Sequence, residues 1–259
     1  RYLFFLNPDV WLEPGCLEEM YRAAEQARAG AVGLLVLDYE NDEIQSRSGT
    51  GFDLTGHGVE PRPGQVPDTL FMAHGFCFIR KDLFEKVGGY DEAFFLYGEE
   101  LEICWKVWAA GETIVHAPLA RIHHRGAATE NPAGGTKLVE LRTSESKRFY
   151  ANRNQILGFL NNAQHVLLLL LIPCLFLYFV ESMGGALLAR RWSVFKRTFL
   201  DPVASCWSLR GHILGRRRAM RRIRVRGDFW MLRFLSWRIG RIQEYRKILR
   251  LGLPKIDAR

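Results

Sequence analysis

Three groups of polar residues in this 259-residue chain are of the types that move protons or hold cations. Asp9 follows Asn7 and Pro8 directly after the apolar run Tyr2-Leu3-Phe4-Phe5-Leu6. An open α/β sheet presents its ligand-binding groups at that address, past the carboxyl ends of its strands. Glu99, Glu100 and Glu102 open a helical segment just after Phe94-Phe95-Leu96-Tyr97. Crowded carboxylates under an aromatic wall can have a raised pKa, as a general base working near neutrality needs. His123 and His124 stand side by side at the end of an apolar stretch, where imidazole can bind a metal or carry a proton. Each group also has an ordinary explanation: Pro and Asp make turns, acids favour first helical turns, and a histidine pair is often only a surface feature.

The elements that must position these residues follow from periodicity. Tyr2 to Leu6 reads as a strand, followed by a loop and a helix with Pro14 near its first turn and an apolar stripe through Leu17, Met20, Tyr21 and Ala24. Ala31 to Leu37 reads as the next strand, and Asp38 to Asp68 as loops or short hairpins rich in Gly and Pro. Apolar content returns over Leu70 to Ile79, and a short helix over Lys81 to Val87 stops at Gly88-Gly89. A helix from about Glu99 to Ala110 carries Leu101, Cys104, Trp105 and Trp108 at i, i+3, i+4 and i+7, so that face is buried and its acids sit at the positive end of the helix dipole. A last short strand, Thr113 to His116 or Ala120 to Ile122, leads into the histidines. Gly, Pro and Thr around Asn131 to Thr136 mark a boundary, after which Leu138 to Asn162 reads as helical.

In order and spacing these pieces resemble the family 2 glycosyltransferases, in the bacterial branch that includes rhamnosyltransferases. The likeness is carried by Asn7-Pro8-Asp9, by Gly75 through Arg80 with Phe84, and by Gly88-Gly89-Tyr90-Asp91-Glu92. It continues through Phe95 to Lys106, Gly111, Pro118-Leu119-Ala120 and His123 to Thr129, and spans roughly residues 1 to 160. The resemblance implies an α/β, Rossmann-like GT-A fold, a divalent metal (Mg or Mn), a nucleotide-diphosphate sugar donor, and inversion at the transferred sugar. It assigns the metal to Asp9, with His123 or His124 approaching it, and donor contacts to Asn7, Asp9 and Lys106. It assigns the base to Glu100, beside Glu99. Departing phosphates need their charge neutralised and an attacking hydroxyl needs its proton removed, which suits these residue types. The family's usual Asp is Glu at Glu100 and Glu102, and its usual Arg is Lys at Lys106, which cannot make a planar two-pronged contact. Those departures keep a rival reading open, a non-catalytic membrane-bound scaffold of the same fold. The family's first strand and its base-binding acids would lie before Arg1.

Charge and hydropathy divide the chain. Residues 1 to 189 hold 16 Lys and Arg against 24 Asp and Glu, whereas residues 190 to 259 hold 20 against 4. A single-sign segment of this kind seeks an anionic partner, lipid or nucleic acid. Lipid is favoured over nucleic acid because Val166 to Val180 is fifteen uninterrupted apolar or aromatic residues, extending to Ala189 if Glu181 and Ser182 are tolerated. Fifteen is short of the ~20 residues a spanning helix needs. A span would also put the basic segment on the far side from a cytoplasmic donor, against the positive-inside tendency. A re-entrant or interfacial segment broken at Pro173, on the cytoplasmic face of the membrane, is preferred to a span or a buried core helix. The expected organisation is a catalytic portion over 1–135, a helical connector over 136–165, an apolar membrane-associated segment over 166–189 and a basic amphipathic tail over 190–259, with a lipid-linked or glycan acceptor. Five widely spaced cysteines, Cys16, Cys77, Cys104, Cys174 and Cys206, read as small core residues.

Overall fold

The computed structural model describes residues 1–46, 48–53, 58–61, 67–73, 77–125, 142–237 and 255–257. Gly75, Gly126, Thr129, the boundary at Asn131 to Thr136 and the start of the helical reading at Leu138 lie outside the described residues.

A mixed sheet organises the body. Strands β1 (Tyr2–Phe4), β7 (Phe78–Arg80), β3 (Ala31–Asp38), β8 (Ile114–His124) and β2 (Val10–Leu12) lie side by side in that order, and β4 (Ile44–Ser46) pairs with β3. β3 and β8 run parallel, from Ala31 beside Ile114 to Asp38 beside His124. β1 and β3 are each antiparallel to β7, so β1, β3 and β8 all end on one edge. The one short strand expected before the histidines, at Thr113 to His116 or at Ala120 to Ile122, is the longer β8, which takes in both placements from Ile114 onward. The register against β3 slips between Leu34 and Leu35, where β8 bulges through Pro118, Leu119 and Ala120. Proline has no N–H for a ladder, and a bulge is where a strand accommodates it.

Helix α1 (Cys16–Ala27) covers one face of the sheet through Cys16, Met20 and Ala24, which pack with Val32, Leu34, Val36 and Ile122. Leu17 and Tyr21 of the anticipated stripe are exposed instead. α2 (Lys81–Lys86) follows β7, and α3 (Glu99–Ala109) lies in the main core. From Glu102 to Ala109 every residue of α3 is buried, so this helix is enclosed rather than amphipathic. Trp105 is its anchor, with Phe52, Phe71 and Phe159 at ring-centroid distances of 5.0, 6.1 and 5.6 Å. All five cysteines are buried thiols, not joined in disulfides.

The described part of the basic segment, residues 190–237, packs onto the body. Beyond α4 (Glu145–Asn162), α5 (His165–Leu168) and α6 (Leu171–Ala189), the chain forms α7 (Trp192–Phe195), a π-helical turn over Lys196–Leu200, α8 (Asp201–Ser208) and α9 (Arg210–Ile223). α10 (Asp228–Met231) and the strand Leu235–Ser236 follow, and that strand pairs parallel to Gly51–Asp53 of the body. Phe234 reaches Phe71 and Trp108 at 5.0 and 4.8 Å, and Met231 is wholly buried. Arg226 donates to the Glu112 carbonyl at 2.6 Å and lies 4.1 Å from the Trp230 ring centroid. Arginine stems bury against apolar surface while their heads find carbonyls and rings, so a segment rich in Arg and Trp need not stay in solvent.

α6 is two-sided. Cys174, Tyr178, Ser182 and Ala186, four residues apart, face inward, while Ile172, Phe176, Val180, Leu187 and Leu188 are exposed. The stretch His165–Leu188 is long and apolar enough to cross a membrane by length and composition; an 18-residue window within it has a mean hydropathy of 2.3 and is 22% buried. The helical break falls between α5 and α6, not at Pro173, which occupies the first turn of α6. There its missing N–H has no helical partner to lose.

Candidate functional site

The common edge of β1, β3 and β8 gathers Asp9 and His124. Asp9 sits in the turn after β1, its carbonyl accepting from the Arg125 N–H at 3.1 Å, and its Oδ1 is 3.4 Å from His124 Nε2. His124 Nδ1 lies 2.7 Å from Gln45 Oε1. A carboxamide oxygen only accepts, so the imidazole proton belongs on Nδ1 and Nε2 is turned toward Asp9. A metal-binding histidine is oriented in this way, its second ring nitrogen donating to an oxygen.

His123 is placed elsewhere. Neighbouring residues of a strand point to opposite faces, and the His123 ring sits between Glu13 Oε1 at 3.0 Å and Asp42 Oδ1 at 3.1 Å, with the Trp11 ring tilted at 49° and 4.9 Å away. It borders an open cavity of about 570 Å³ with Glu13, Asp42 and Arg121. The two histidines expected near one metal are therefore separated by strand alternation, and His124 is the one beside Asp9. Asn7 is exposed in the same turn as Asp9.

Glu99 and Glu100 open α3, whose N-cap is Gly98 at φ 82°. That left-handed conformation suits glycine, and a Cβ there would come within 3.3 Å of Asn154 Cβ. Burial, then the neighbouring Glu99 carboxylate, pushes Glu100 up to about 7. Burial also raises Glu99, whose Oε2 is buried without a hydrogen-bond partner. The phenols of Tyr90 and Tyr97 are raised too, by burial first and by the two glutamates among the further causes. Among the described residues no ion pair or hydrogen bond joins these glutamates to Asp9 or His124; topology brings both pairs to the same end of the sheet, since α3 leads back into β8 through a tight turn.

Lys106 is not at this edge. It is fully buried on α3, 2.8 Å from Glu102 Oε2 and 2.5 Å from the Gly89 carbonyl. Arg216 approaches the same Glu102 at 3.9 Å and Asp91 at 3.3 Å, and His212 reaches Asp91 at 2.9 Å. Buried charges persist only when paired, so Glu102 and Lys106 serve the packing of α3 against α9, and the expected donor contact of Lys106 is replaced by this internal pair.

Asn154 escaped the sequence reading. Its side-chain amide donates to the carbonyls of Phe94, Leu96 and Tyr97 at 2.8, 2.6 and 2.6 Å, while Arg153 donates to those of Ala93 and Phe94 at 2.5 and 2.8 Å. Together they hold an arch in which Phe95 and Tyr97 adopt φ of 59° and 66°. Bulky residues enter the left-handed region at a cost of about 1–3 kcal/mol each and stay there only when their surroundings impose it. Phe95 consequently points outward, 77% exposed, immediately before the glutamates. An Arg-Asn pair in the middle of a helix gives no hint of this in sequence.

Comparison with known proteins adds to the geometry. No family model matches the chain. Over 150 residues it is 29% identical to N-acetylglucosaminyl-diphospho-decaprenol L-rhamnosyltransferase of Mycobacterium tuberculosis, covering 49% of this chain and 48% of that protein. Over 171 residues it is 24% identical to rhamnosyltransferase WbbL of Escherichia coli, covering 59% and 65%. Over 107 residues it is 29% identical to the low-salt glycan biosynthesis hexosyltransferase Agl10 of Haloferax volcanii, covering 39% and 34%. Among solved structures, GalNAc-T7 with UDP, GalNAc and Mn2+ matches with a TM-score of 0.40 and 20% identity, over 48% of this chain and 27% of that one. The chain spans about half the length of the first of these relatives. Over about half its length, then, this chain is similar to proteins named as rhamnosyl- and hexosyltransferases.

Proposed function

We propose that this chain acts as an inverting, metal-dependent glycosyltransferase that moves a rhamnosyl or other hexosyl group from a nucleotide-diphosphate sugar to a lipid-linked or polysaccharide acceptor in cell-envelope glycan synthesis. The observation that carries the reading is the Glu99–Glu100 pair at the mouth of α3, where burial and like charge bring Glu100 to about 7. A base with that pKa is half ionised near neutrality, where proton removal from a sugar hydroxyl is most efficient. The names of the mycobacterial, E. coli and Myxococcus xanthus relatives, the last an O-antigen biosynthesis protein, support the class of substrate.

The residues present fit a divalent metal. Asp9 and His124 converge as one oxygen and one nitrogen donor, and among the described residues no group of three or more His, Cys, Asp or Glu forms a closed cage. A site with few protein ligands suits an ion that takes substrate phosphates into its coordination shell. When bound, such an ion would neutralise charge on the leaving diphosphate. Asp9 and His124 would hold it, Glu100 would take the acceptor proton, and the Phe95–Tyr97 arch would shield the base from water.

The same reading places the chain on the cytoplasmic face of the membrane, lying in the interface rather than crossing it. The inward row of α6 is engaged by its own protein, its outward row is apolar, and Arg190, Arg191 and Lys196 at its end are exposed. That is the pattern of an interfacial helix over anionic lipid. The scaffold alternative loses two of its three supports, because Glu102 and Lys106 are paired inside the protein and their departure from the family's usual residues bears on packing. Transfer assays on the complete enzyme against a panel of nucleotide sugars with Mg or Mn test the proposal. Asp9→Ala and Glu100→Gln are expected to abolish transfer in folded protein, and full activity in Glu100→Gln would refute the base.

A further inference from the structure

A second polar cleft, of about 60 Å³, lies where the end of α4 and the start of α5 meet α9, and neither Asp9 nor Glu100 lines it. Its walls include Asn161, His165, Arg217, Arg221 and Arg224. Part of this charge serves the fold. Arg217 donates to the carbonyls of Leu160 and Ala163 at 2.6 and 2.8 Å, and Arg224 to that of Asn162 at 2.5 Å, closing the C-terminal end of α4. Capping explains one nitrogen of each guanidinium, but Arg224 Nη1 is buried with no hydrogen-bond partner, and so is Asn161 Oδ1. Arg221 stands exposed one helical turn from Arg217, at the rim.

The cleft is also short of counter-charge. The carboxylate nearest to it, Asp228, accepts the backbone N–H groups of Gln164 and Leu167 at 2.8 Å through its two oxygens. Burial holds Arg217 and Arg224 below the usual arginine range; Asp228 opposes that shift, and a neighbouring guanidinium adds a smaller push downward. Like charges gathered in a half-buried cleft repel one another, and an anion accepting from several guanidinium groups at once relieves both the repulsion and the unpaired N–H. The cleft opens beside His165, the first residue of the long apolar stretch His165–Leu188.

We propose that Arg217, Arg221 and Arg224 form a binding site for a phosphate oxyanion, the phosphate ester or diphosphate of a molecule met at the membrane surface. The inference goes beyond sugar transfer and needs no turnover to be tested. Arg221 reaches over the rim to the outer oxygens, and Arg224 Nη1 supplies the inner donor. A lipid headgroup and a free phosphate compound share this chemistry, and only the lipid brings acyl chains to the exposed face of α6.

The test uses the full chain with two probes: inorganic pyrophosphate followed by calorimetry, and flotation with phosphatidylcholine vesicles made with and without phosphatidic acid. Arg221→Glu is compared with Arg218→Glu, an exposed neighbour on the same helix outside the cleft that changes the net charge equally. Because the exposed Arg221 makes none of the α4 caps, its variant folds as the parent does. Arg221→Glu is expected to weaken binding of at least one probe about tenfold or more, and Arg218→Glu no more than about twofold. Arg224→Lys, which keeps the charge but not the fork, is expected to lose most of the same binding. Loss confined to the vesicles assigns the site to a lipid headgroup, and loss confined to pyrophosphate assigns it to a soluble phosphate; either supports the site. Equal weakening by Arg218→Glu and Arg221→Glu, meaning diffuse charge only, overturns it, as does failure of the parent chain to bind either probe.

Discussion

The first and second turns of α3 carry the same residue type two positions apart and treat it in opposite ways. Glu100 sits at the mouth of the helix with another carboxylate as its charged neighbour, and is driven to about 7. Glu102 is enclosed, and burial raises it as well, but Lys106 and Arg216 stand against it and oppose the shift. Burial sets the size of the perturbation, and the sign of the nearest charge decides whether the group is available to chemistry or committed to structure. The same contrast separates Lys106, locked in the core, from the Asp9–His124 pair, which is only partly covered at the sheet edge.

Four experiments would break or sharpen that contrast. The largest effect is expected from Glu100→Gln, which keeps shape and removes the base. Transfer should fall by about 10²–10⁴ with thermal stability retained, and a variant that transfers normally would erase the distinction between the two turns. Glu102→Ala should do the reverse, costing about 3–5 kcal/mol in denaturant unfolding by stranding Lys106. Replacing both partners together, Glu102→Met with Lys106→Met, should recover much of that loss, and no recovery would show that the pair is not the cause.

The pH profile comes next. Transfer should decline as the pH falls through about 7, roughly tenfold for each unit below it, as Glu100 takes up its proton. Stability should run the other way. The folded chain binds that proton more tightly than the unfolded one, whose value is near 4.5, so the contribution of Glu100 is full below 4.5 and lost as pH rises through about 7. Glu100→Gln should therefore be more stable than the parent at pH 8. An unchanged difference in melting temperature between pH 4 and pH 8 would remove the basis for the raised pKa. The smallest effect is expected from Asn154→Ala with Tyr97→Gly. The single change should loosen amide protection over Phe94 to Leu101 and lower kcat more than it raises KM. The glycine, by relieving the left-handed strain at Tyr97, should restore part of the protection, and no restoration would leave Asn154 without a positioning role.

Much of the body was legible in sequence because it obeys local rules. β3, α2 and α3 fall within a residue or two of their expected limits, since alternation, helical periodicity and the glycines after them act over a few residues. Asp9 was found by its address after a strand, and Glu99 and Glu100 by their place in a first helical turn. The misses have long-range causes. The stretch Leu70 to Ile79 takes no element from sequence alone: Phe78 and Ile79 open β7, while Leu70 and Phe71 are drawn into the core, where the Trp108 indole donates to their carbonyls at 3.1 Å. The segment beyond residue 190 reads as a tail because hydropathy counts arginine as solvent-seeking. In the folded chain Arg216, Arg217, Arg224 and Arg226 all find acceptors on the body.

The order of motifs was therefore enough, by itself, to determine the relationship to sugar-transferring enzymes, since it rests on short-range spacing. Only the tertiary structure decided that His124 and not His123 stands beside Asp9, that Lys106 is sealed against Glu102, and that Asn154 holds the arch before Glu100. Each of those facts depends on groups far apart in the chain, Glu13 with His123 and Phe94 with Asn154 among them, and their meeting is set by strand alternation and core packing rather than by any local pattern.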